Sequence, residues 1–396
     1  MSRDVLLTGF GVRTAFGAGA DALRDGVFDG RPAFAPITRF DTTPYRTGMA
    51  AAAGAGAPLR DVLAETAAAA LDMAGLSAGA RAAVLVGTAG DFTSLTRFWR
   101  AMAADGPGGA AGATTEAGDS GTPPGGAVDT VPAWQAAALA DRLDLRGPRL
   151  AFTNACVASA TAVVHACRLI AAGRVDTALC AGAYLVEEEN LAKFGSGFAL
   201  SKDGAVRPFS AGRSGLLLGD GAAAVVLESA DSARRRGARP LAALTGWGAA
   251  SDAYHVARPH PDGAGMAAAA RQALRRAGGG AIDYVNAHGT ATQQNDPAET
   301  RGLHALFGEQ AGNVPVSSTK STTGHLLEAA GVVELVITLL ALRDGVLPPT
   351  AGFTAPDPAC DLDYVPNRPR RAEIRRAMSV NAAFGGANTA LVLERT

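Results

Sequence analysis

The sequence predicts an α/β protein with buried sheets, and three observations carry that prediction. Strand-like runs that are apolar throughout, rather than alternating, recur along the chain: VLLTGFG at the start, AAVLVGT near 85, TALCAG near 179, AAAVVLES near 225, YVNAHG near 286 and TALVLER at the end. Ala-rich helical stretches such as LRDVLAETAAAALDMAG and AGMAAAARQALRRAG lie between several of them. Continuous apolar strands separated by helices are the pattern of sheets covered on both faces. The third observation is a pair of similar segments, TNACVASATAVVHACRLIAAGR and TTGHLLEAAGVVELVITLLALRDG. Each has a polar lead-in, one reactive side chain, and then a long helix apolar on nearly every face, which marks it as buried. The pair predicts a duplicated fold whose halves, 1–235 and 236–396, meet at one pocket, with the boundary in the basic linker RRRGARP at 234–240.

Composition narrows the class. The 396 residues are 48 % hydrophobic and 18 % charged, below the usual quarter for charged residues, so a large buried core is expected. A net charge of -1, from 36 basic and 37 acidic side chains, gives no global pull toward nucleic acid or an anionic membrane. Four cysteines, none in a Cys-x-x-Cys pair, make neither a disulfide framework nor a metal knuckle. No metal is therefore expected. The longest apolar run, AAGVVELVITLLAL, is interrupted by Glu334 and falls short of the roughly 18 residues a membrane helix needs. Without a sequon or a cleavage signature at the N-terminus, a reducing cytoplasm is the expected setting. Residues 104–130 are rich in Gly and Pro and read as a long loop rather than a regular element.

The candidate reactive groups stand at the ends of these elements. Cys156 follows a strand and opens the first buried helix. Its sulfur is expected at a helix N-terminus, where the dipole and free N–H groups favour the thiolate. The alternative is a small core residue, which is the reading for Cys167 and Cys180 inside apolar runs. His288 ends the strand YVNA in NAHGTAT, where Thr290 and Thr292 either bind a polar ligand or complete a turn. His325 opens the second buried helix, where a cation is disfavoured, so a neutral, hydrogen-bonding imidazole is expected. Lys320 is an ion-pair partner or an orienting charge, and Glu299 is a partner for His288. Phe384 precedes Gly385-Gly386 and sits on a movable loop or on an ordinary strand-entry turn. Gly9-Phe10-Gly11 follows a strand, but without a third glycine at the required spacing or an acidic ribose partner it predicts no dinucleotide site.

Taken together, the motifs resemble those of β-ketoacyl-acyl-carrier-protein synthases of the elongating I/II type, condensing enzymes with the thiolase fold. The resemblance runs through VLLTGFGVRTAFG, ITRFDTTPYR, NACVASA, RPFSAGRSGLLLGDGAAAVVLE, NAHGTATQQNDPAE, VSSTKSTTGHLLEAAGVVE and NAAFGGAN. It implies a duplicated fold with layered helices and two mixed sheets around buried helices. It also implies a reaction, decarboxylative Claisen condensation of an acyl group on Cys156 with a malonyl-acyl carrier protein, in fatty-acid or polyketide-type biosynthesis. Cys156 would be the acyl acceptor, and His288 and His325 would stabilise the enolate left by loss of CO2. The backbone N–H groups of Cys156 and Phe384 would form the oxyanion hole, a term of about 3–4 kcal/mol per donor. Lys320 and Glu299 would support the site, Thr290 and Thr292 would bind the phosphopantetheine arm of the carrier, and Phe384 would gate entry. The implied partners are an acyl carrier protein and a second subunit, in a homodimer or a heterodimer with a related synthase or chain-length subunit. Two other readings fit the same scaffold: an acyltransferase or decarboxylase, and a non-catalytic chain-length subunit. The chain departs from the family pattern where Val-Ala-Ser follows Cys156, and at Ala383 and Ala387 beside the gate.

Overall fold

The architecture comes from a computed structural model, which describes residues 4–54, 57–93, 95–96, 100 and 127–396. The Gly- and Pro-rich stretch expected as a loop falls largely outside these residues; its end, Ala127–Thr130, is a 3-10 turn. Among the described residues ten strands form a single path. In the first half they are β1 (Val5–Thr14), β2 (Ala83–Gly87), β3 (Arg149–Phe152), β4 (Thr177–Tyr184) and β5 (Gly221–Ser229). In the second they are β6 (Ala242–Ser251), β7 (Tyr284–Asn286), β8 (Val316–Ser317), β9 (Arg376–Ala382) and β10 (Ala387–Glu394). Their order is β8-β7-β9-β10-β6-β1-β5-β4-β2-β3, with the short strand Gly17–Ala18 added on β1.

Read outward from the middle, the two halves carry the same pattern. β1 pairs antiparallel with β5 and β5 antiparallel with β4, while β4–β2 and β2–β3 are parallel. β6 pairs antiparallel with β10 and β10 antiparallel with β9, while β9–β7 and β7–β8 are parallel. The halves join edge to edge through the pairs Leu6↔Ala243 and Leu7↔Ala242.

The longer helices among the described residues complete the layers: α1 (Leu59–Ala74), α2 (Pro132–Arg142), α3 (Ala158–Ala171), α4 (Glu188–Ser196), α5 (Ala264–Arg276), α6 (Asn295–Phe307) and α7 (Ala330–Asp344). The strands, buried on both faces, divide their side chains between layers. On β2, Ala83 and Leu85 face the central core with α3 and α7, while Val84 and Val86 pack against α1 and α2. On β10, Leu391 and Leu393 face that same centre, while Ala390 and Val392 pack against α5. The order is thus outer helices, half-sheet, the α3/α7 pair, half-sheet, outer helices, the layering of the thiolase fold. Every residue of α7 from Ala330 to Leu342 is buried, as a helix apolar on nearly every face requires.

Close backbone approach fixes two contacts. A Cβ on Gly9 or Gly11 would lie 2.2 Å from the Ala70 carbonyl oxygen or 2.0 Å from that of Thr66. The Gly9-x-Gly11 pair therefore lets α1 rest on β1 and has a packing role. In the central layer, a Cβ on Gly331 would meet Ala160 Cβ at 2.5 Å, and the Val332 N–H donates to Ser159 Oγ at 3.1 Å. These contacts bring the starts of α3 and α7 together. Among the described residues, no helix is long and apolar enough to cross a membrane.

Candidate active site

The paired helix starts bring Cys156 and His325 into contact. After β3 the chain turns at Ala155, whose φ of 54° lies in the left-handed region, and passes through the 3-10 turn Ala155–Val157 into α3. On the other side, the His325 N–H donates to the Leu217 carbonyl at 2.7 Å, and the Gly219 N–H donates back to the His325 carbonyl at 3.1 Å. That clamp holds His325 ahead of the 3-10 turn Leu327–Ala329, which leads into α7. His325 Nε2 lies 3.1 Å from Cys156 Sγ. The His288 ring stands edge-on to it, centroids 5.3 Å apart and planes at 85°. Three groups from residues 156, 288 and 325 therefore share one buried space.

Both imidazoles are neutral at physiological pH. Burial, then the Lys320 charge and the adjacent His325, hold His288 well below the usual histidine range. Burial and Lys320 do the same for His325. Lys320 itself is buried and paired with Glu334 at 2.5 Å, and Glu334 also accepts from Asn381 Nδ2 at 2.5 Å. Of the two readings offered for Lys320, the ion pair is therefore present, and its charge also acts on both rings.

Glu299 serves the His288 loop through its backbone rather than through the ring. It accepts from the N–H groups of His288 and Gly289, each at 2.7 Å, and from Asn295 Nδ2 at 3.1 Å. Burial pushes it up to about 7, against the backbone donors and Lys320. Asp296, which the sequence reading passed over, holds the same loop by accepting from Phe209 N–H at 2.7 Å and Ala291 N–H at 3.1 Å. Thr290 and Thr292 lie beside it with their hydroxyls 3.0 Å apart. Among the described residues, Nδ1 of neither His288 nor His325 has a hydrogen-bond partner.

Cys156 was expected as a helix-terminal thiolate, but it is buried, and burial pushes its thiol up to about 12, with the Glu328 charge adding to the rise and Lys320 opposing it. The few unpaired N–H groups of a 3-10 turn do not offset the lost hydration and a nearby carboxylate. The resting pair is a neutral thiol beside a neutral imidazole.

Phe384 lies at the rim, 49 % exposed, before Gly385 and Gly386 with φ of 84° and 80°. Its ring stacks on Phe194 of α4 at 5.5 Å, and Phe194 in turn sets its edge against His325 at 6.5 Å. Phe194 links rim to interior and was missed in sequence, as were Glu328 and the role of Glu334. For the two glutamates the available signal was a pair of charged residues inside otherwise apolar LLEAAGVVE.

Known proteins give this geometry a family. The β-ketoacyl synthase N-terminal domain matches residues 47–233 and its C-terminal domain residues 241–354. The 3-oxoacyl-[acyl-carrier-protein] synthase 2 of Coxiella burnetii is 34 % identical over an alignment of 423 residues, covering 99 % of both chains. The tetracenomycin polyketide synthase ketoacyl synthase alpha subunit of Streptomyces glaucescens is 36 % identical over 422 residues, covering 99 % of this chain and 97 % of the other. Among solved structures, the ishigamide ketosynthase/chain length factor superposes with a TM-score of 0.91 at 33 % identity, covering all of both chains. Matched along its whole length in sequence and in fold, the chain belongs to the β-ketoacyl synthase family.

Proposed function

We propose that this β-ketoacyl synthase carries out decarboxylative Claisen condensation between an acyl group held on Cys156 and a malonyl group on an acyl carrier protein. The observation that carries the proposal is the contact of His325 Nε2 with Cys156 Sγ at 3.1 Å, with the neutral His288 ring beside them. In the first half-reaction the Cys156 sulfur attacks the acyl thioester. The bond from the acyl carbon to the carrier sulfur breaks, the bond to Cys156 forms, and the thiol proton ends on the released carrier thiol. In the second, the malonyl carboxylate leaves as CO2 and its bonding pair passes to the α-carbon. The resulting enolate attacks the acyl carbon, and Cys156 leaves and regains a proton from solvent.

The assigned roles follow from charge. Neutral imidazoles donate to the thioester oxygen where enolate charge develops, and Lys320 favours that neutral form. The N–H groups of Cys156 and Phe384 stabilise the tetrahedral oxyanion. Glu299 holds the His288 backbone, Thr290 and Thr292 receive the phosphopantetheine arm, and Phe384 gates its entry. The halves 1–235 and 236–396 contribute the nucleophile and the two histidines respectively. The substrates arrive on the carrier, without a separate bound cofactor, and the enzyme pairs with a second copy or a related chain-length subunit. The names of its relatives support the carrier, and the solved ketosynthase/chain length factor supports the pairing. Four free, buried cysteines support a reducing cytoplasm as the setting.

The half-reactions use different groups, so they can be separated. Cys156→Gln abolishes acyl loading yet keeps CO2 release from malonyl-carrier, because the amide occupies the acyl-thioester volume and leaves the donors in place. His325→Ala retains acyl loading and loses CO2 release, by roughly 100- to 1000-fold for one donor. Labelled CO2 release measured beside product mass checks both. Wild-type protein that neither loads nor decarboxylates would turn the reading to a chain-length subunit, and loading without condensation to an acyltransferase.

A further inference from the structure

The turn that presents Thr290 and Thr292 is held by an arginine from elsewhere in the chain. Ala291, between the two threonines, has a φ of 62°, a left-handed conformation that an alanine adopts only at a cost. Contacts from outside the turn have to hold it there. On one side Asp296 accepts from the Ala291 N–H at 3.1 Å. On the other, Arg213 Nε donates to the Thr292 carbonyl at 3.2 Å, and Gln293 Nε2 donates back to the Arg213 carbonyl at 2.6 Å. Arg213 is 5 % exposed, and its guanidinium is fixed at two further points. Its Nη1 donates to the Ser210 carbonyl at 3.0 Å and pairs with Asp357 at 2.5 Å. The Asp357 side chain, 18 % exposed, in turn accepts from the Ala359 N–H at 2.8 Å. Arg213 and Asp357 therefore tie the threonine turn to the segments around residues 210 and 357. The Asn295 N–H donates to Thr292 Oγ1 at 3.2 Å, so the place of that hydroxyl depends on how the turn is held.

We propose that Arg213, braced by Asp357, is a positioning residue for the pantetheine arm: it sets the Thr290 and Thr292 hydroxyls where the arm's amide groups meet them. This deepens the function proposed above and rests on its assignment of the two threonines. The arm offers amide N–H and carbonyl groups, and a pair of hydroxyls 3.0 Å apart can both donate and accept. Arginine suits the task because its planar fork reaches a carbonyl and a carboxylate together while staying charged. A displaced turn loses its bonds to the arm in the bound state and the transition state alike. The loss therefore falls on the substrate concentration required and not on the maximal rate.

The test compares hexanoyl pantetheine with the hexanoyl thioester of 2-methoxyethanethiol, a thiol of similar acidity without an amide. Loading of Cys156 is followed by intact protein mass over a range of thioester concentrations. Wild-type protein should load the pantetheine thioester at lower concentration, and Thr292→Val should remove most of that preference. Arg213→Gln should raise the concentration for half-maximal loading of the pantetheine thioester about tenfold, as loss of a charge-assisted hydrogen bond does. The maximal rate should change little, and the amide-free thioester should shift far less. In the Thr292→Val background Arg213→Gln should add little, because the two changes remove one interaction. Asp357→Asn keeps the arginine but loosens its brace, and should give a smaller shift in the same direction; it decides alone if the glutamine variant does not fold. An equal shift for both thioesters, or a pantetheine preference unmoved by Arg213→Gln and Asp357→Asn, overturns the proposal and leaves the threonine assignment standing. A preference absent from wild type, or one that survives Thr292→Val, overturns the threonine assignment and this proposal with it.

Discussion

The thiol and imidazole at the centre of the site are both uncharged at rest, and that has a kinetic signature. With the Cys156 thiol pushed up to about 12 by burial and by Glu328, little thiolate exists near neutrality, so alkylation should be slow at pH 7. The rate should climb with pH as the thiolate fraction grows. Glu328→Gln removes the negative charge that adds to the rise. It should therefore quicken iodoacetamide labelling at pH 9 by severalfold, read by peptide mapping, and an unchanged rate would mean the carboxylate does not act on the sulfur. Cys156, His288 and His325 were legible because each opens or closes a regular element in a distinctive polar context. Glu328 and Phe194 were not, because their neighbours lie far along the chain. The ring that Phe194 stacks on belongs to residue 384, and Glu328 acts on a sulfur at residue 156.

Two helix starts have to meet for the site to exist, and the meeting depends on the absence of one side chain. A Cβ on Gly331 would lie 2.5 Å from Ala160 Cβ and 2.7 Å from the Ala160 nitrogen, so the second contact is with backbone that cannot rotate away. Gly331→Val should drive α3 from α7 and destabilise the fold by roughly 1–3 kcal/mol, the usual cost of overpacking. It should also stretch the contact between Cys156 and His325, so acyl loading should fall along with the melting temperature. Adding Ala160→Gly should recover only part of the loss, since the backbone nitrogen stays in place. Thermal unfolding and intact-mass loading of the single and double variants check this. At this scale the sequence was most informative: a helix apolar on nearly every face has to be buried, and α7 is. The contact itself was not readable, because Gly331 in GVVE looks like any helix glycine until Ala160 is set against it.

Across the whole molecule, buried ionisable groups pull stability in opposite directions with pH. Burial raises Glu187 to about 8, Glu299 to about 7 and Asp296 to about 6. Each therefore holds its proton more tightly in the folded state than in the unfolded chain. That stabilisation is full below the unfolded carboxylate range and is lost as pH rises through the folded values. His288 and His325 act in the opposite sense. Held neutral in the fold, they cost stability as pH falls below about 6.5, where the unfolded chain takes up protons. The chain spreads these groups over both halves, Glu187 in the first and the rest in the second, so no local stretch of sequence announced the balance. It follows from the layering, which buries loops that would be exposed in a smaller fold. Glu187→Gln keeps the acceptor for Asn190 and removes the most strongly raised carboxyl. Between about pH 5 and 8 the melting temperature of wild type should fall more steeply than that of the variant, and the two curves should run parallel below about pH 3.5, where Glu187 is protonated in both states. Parallel curves across the whole range would mean that Glu187 is ionised in the folded protein, and hence that a cation or a donor already satisfies it.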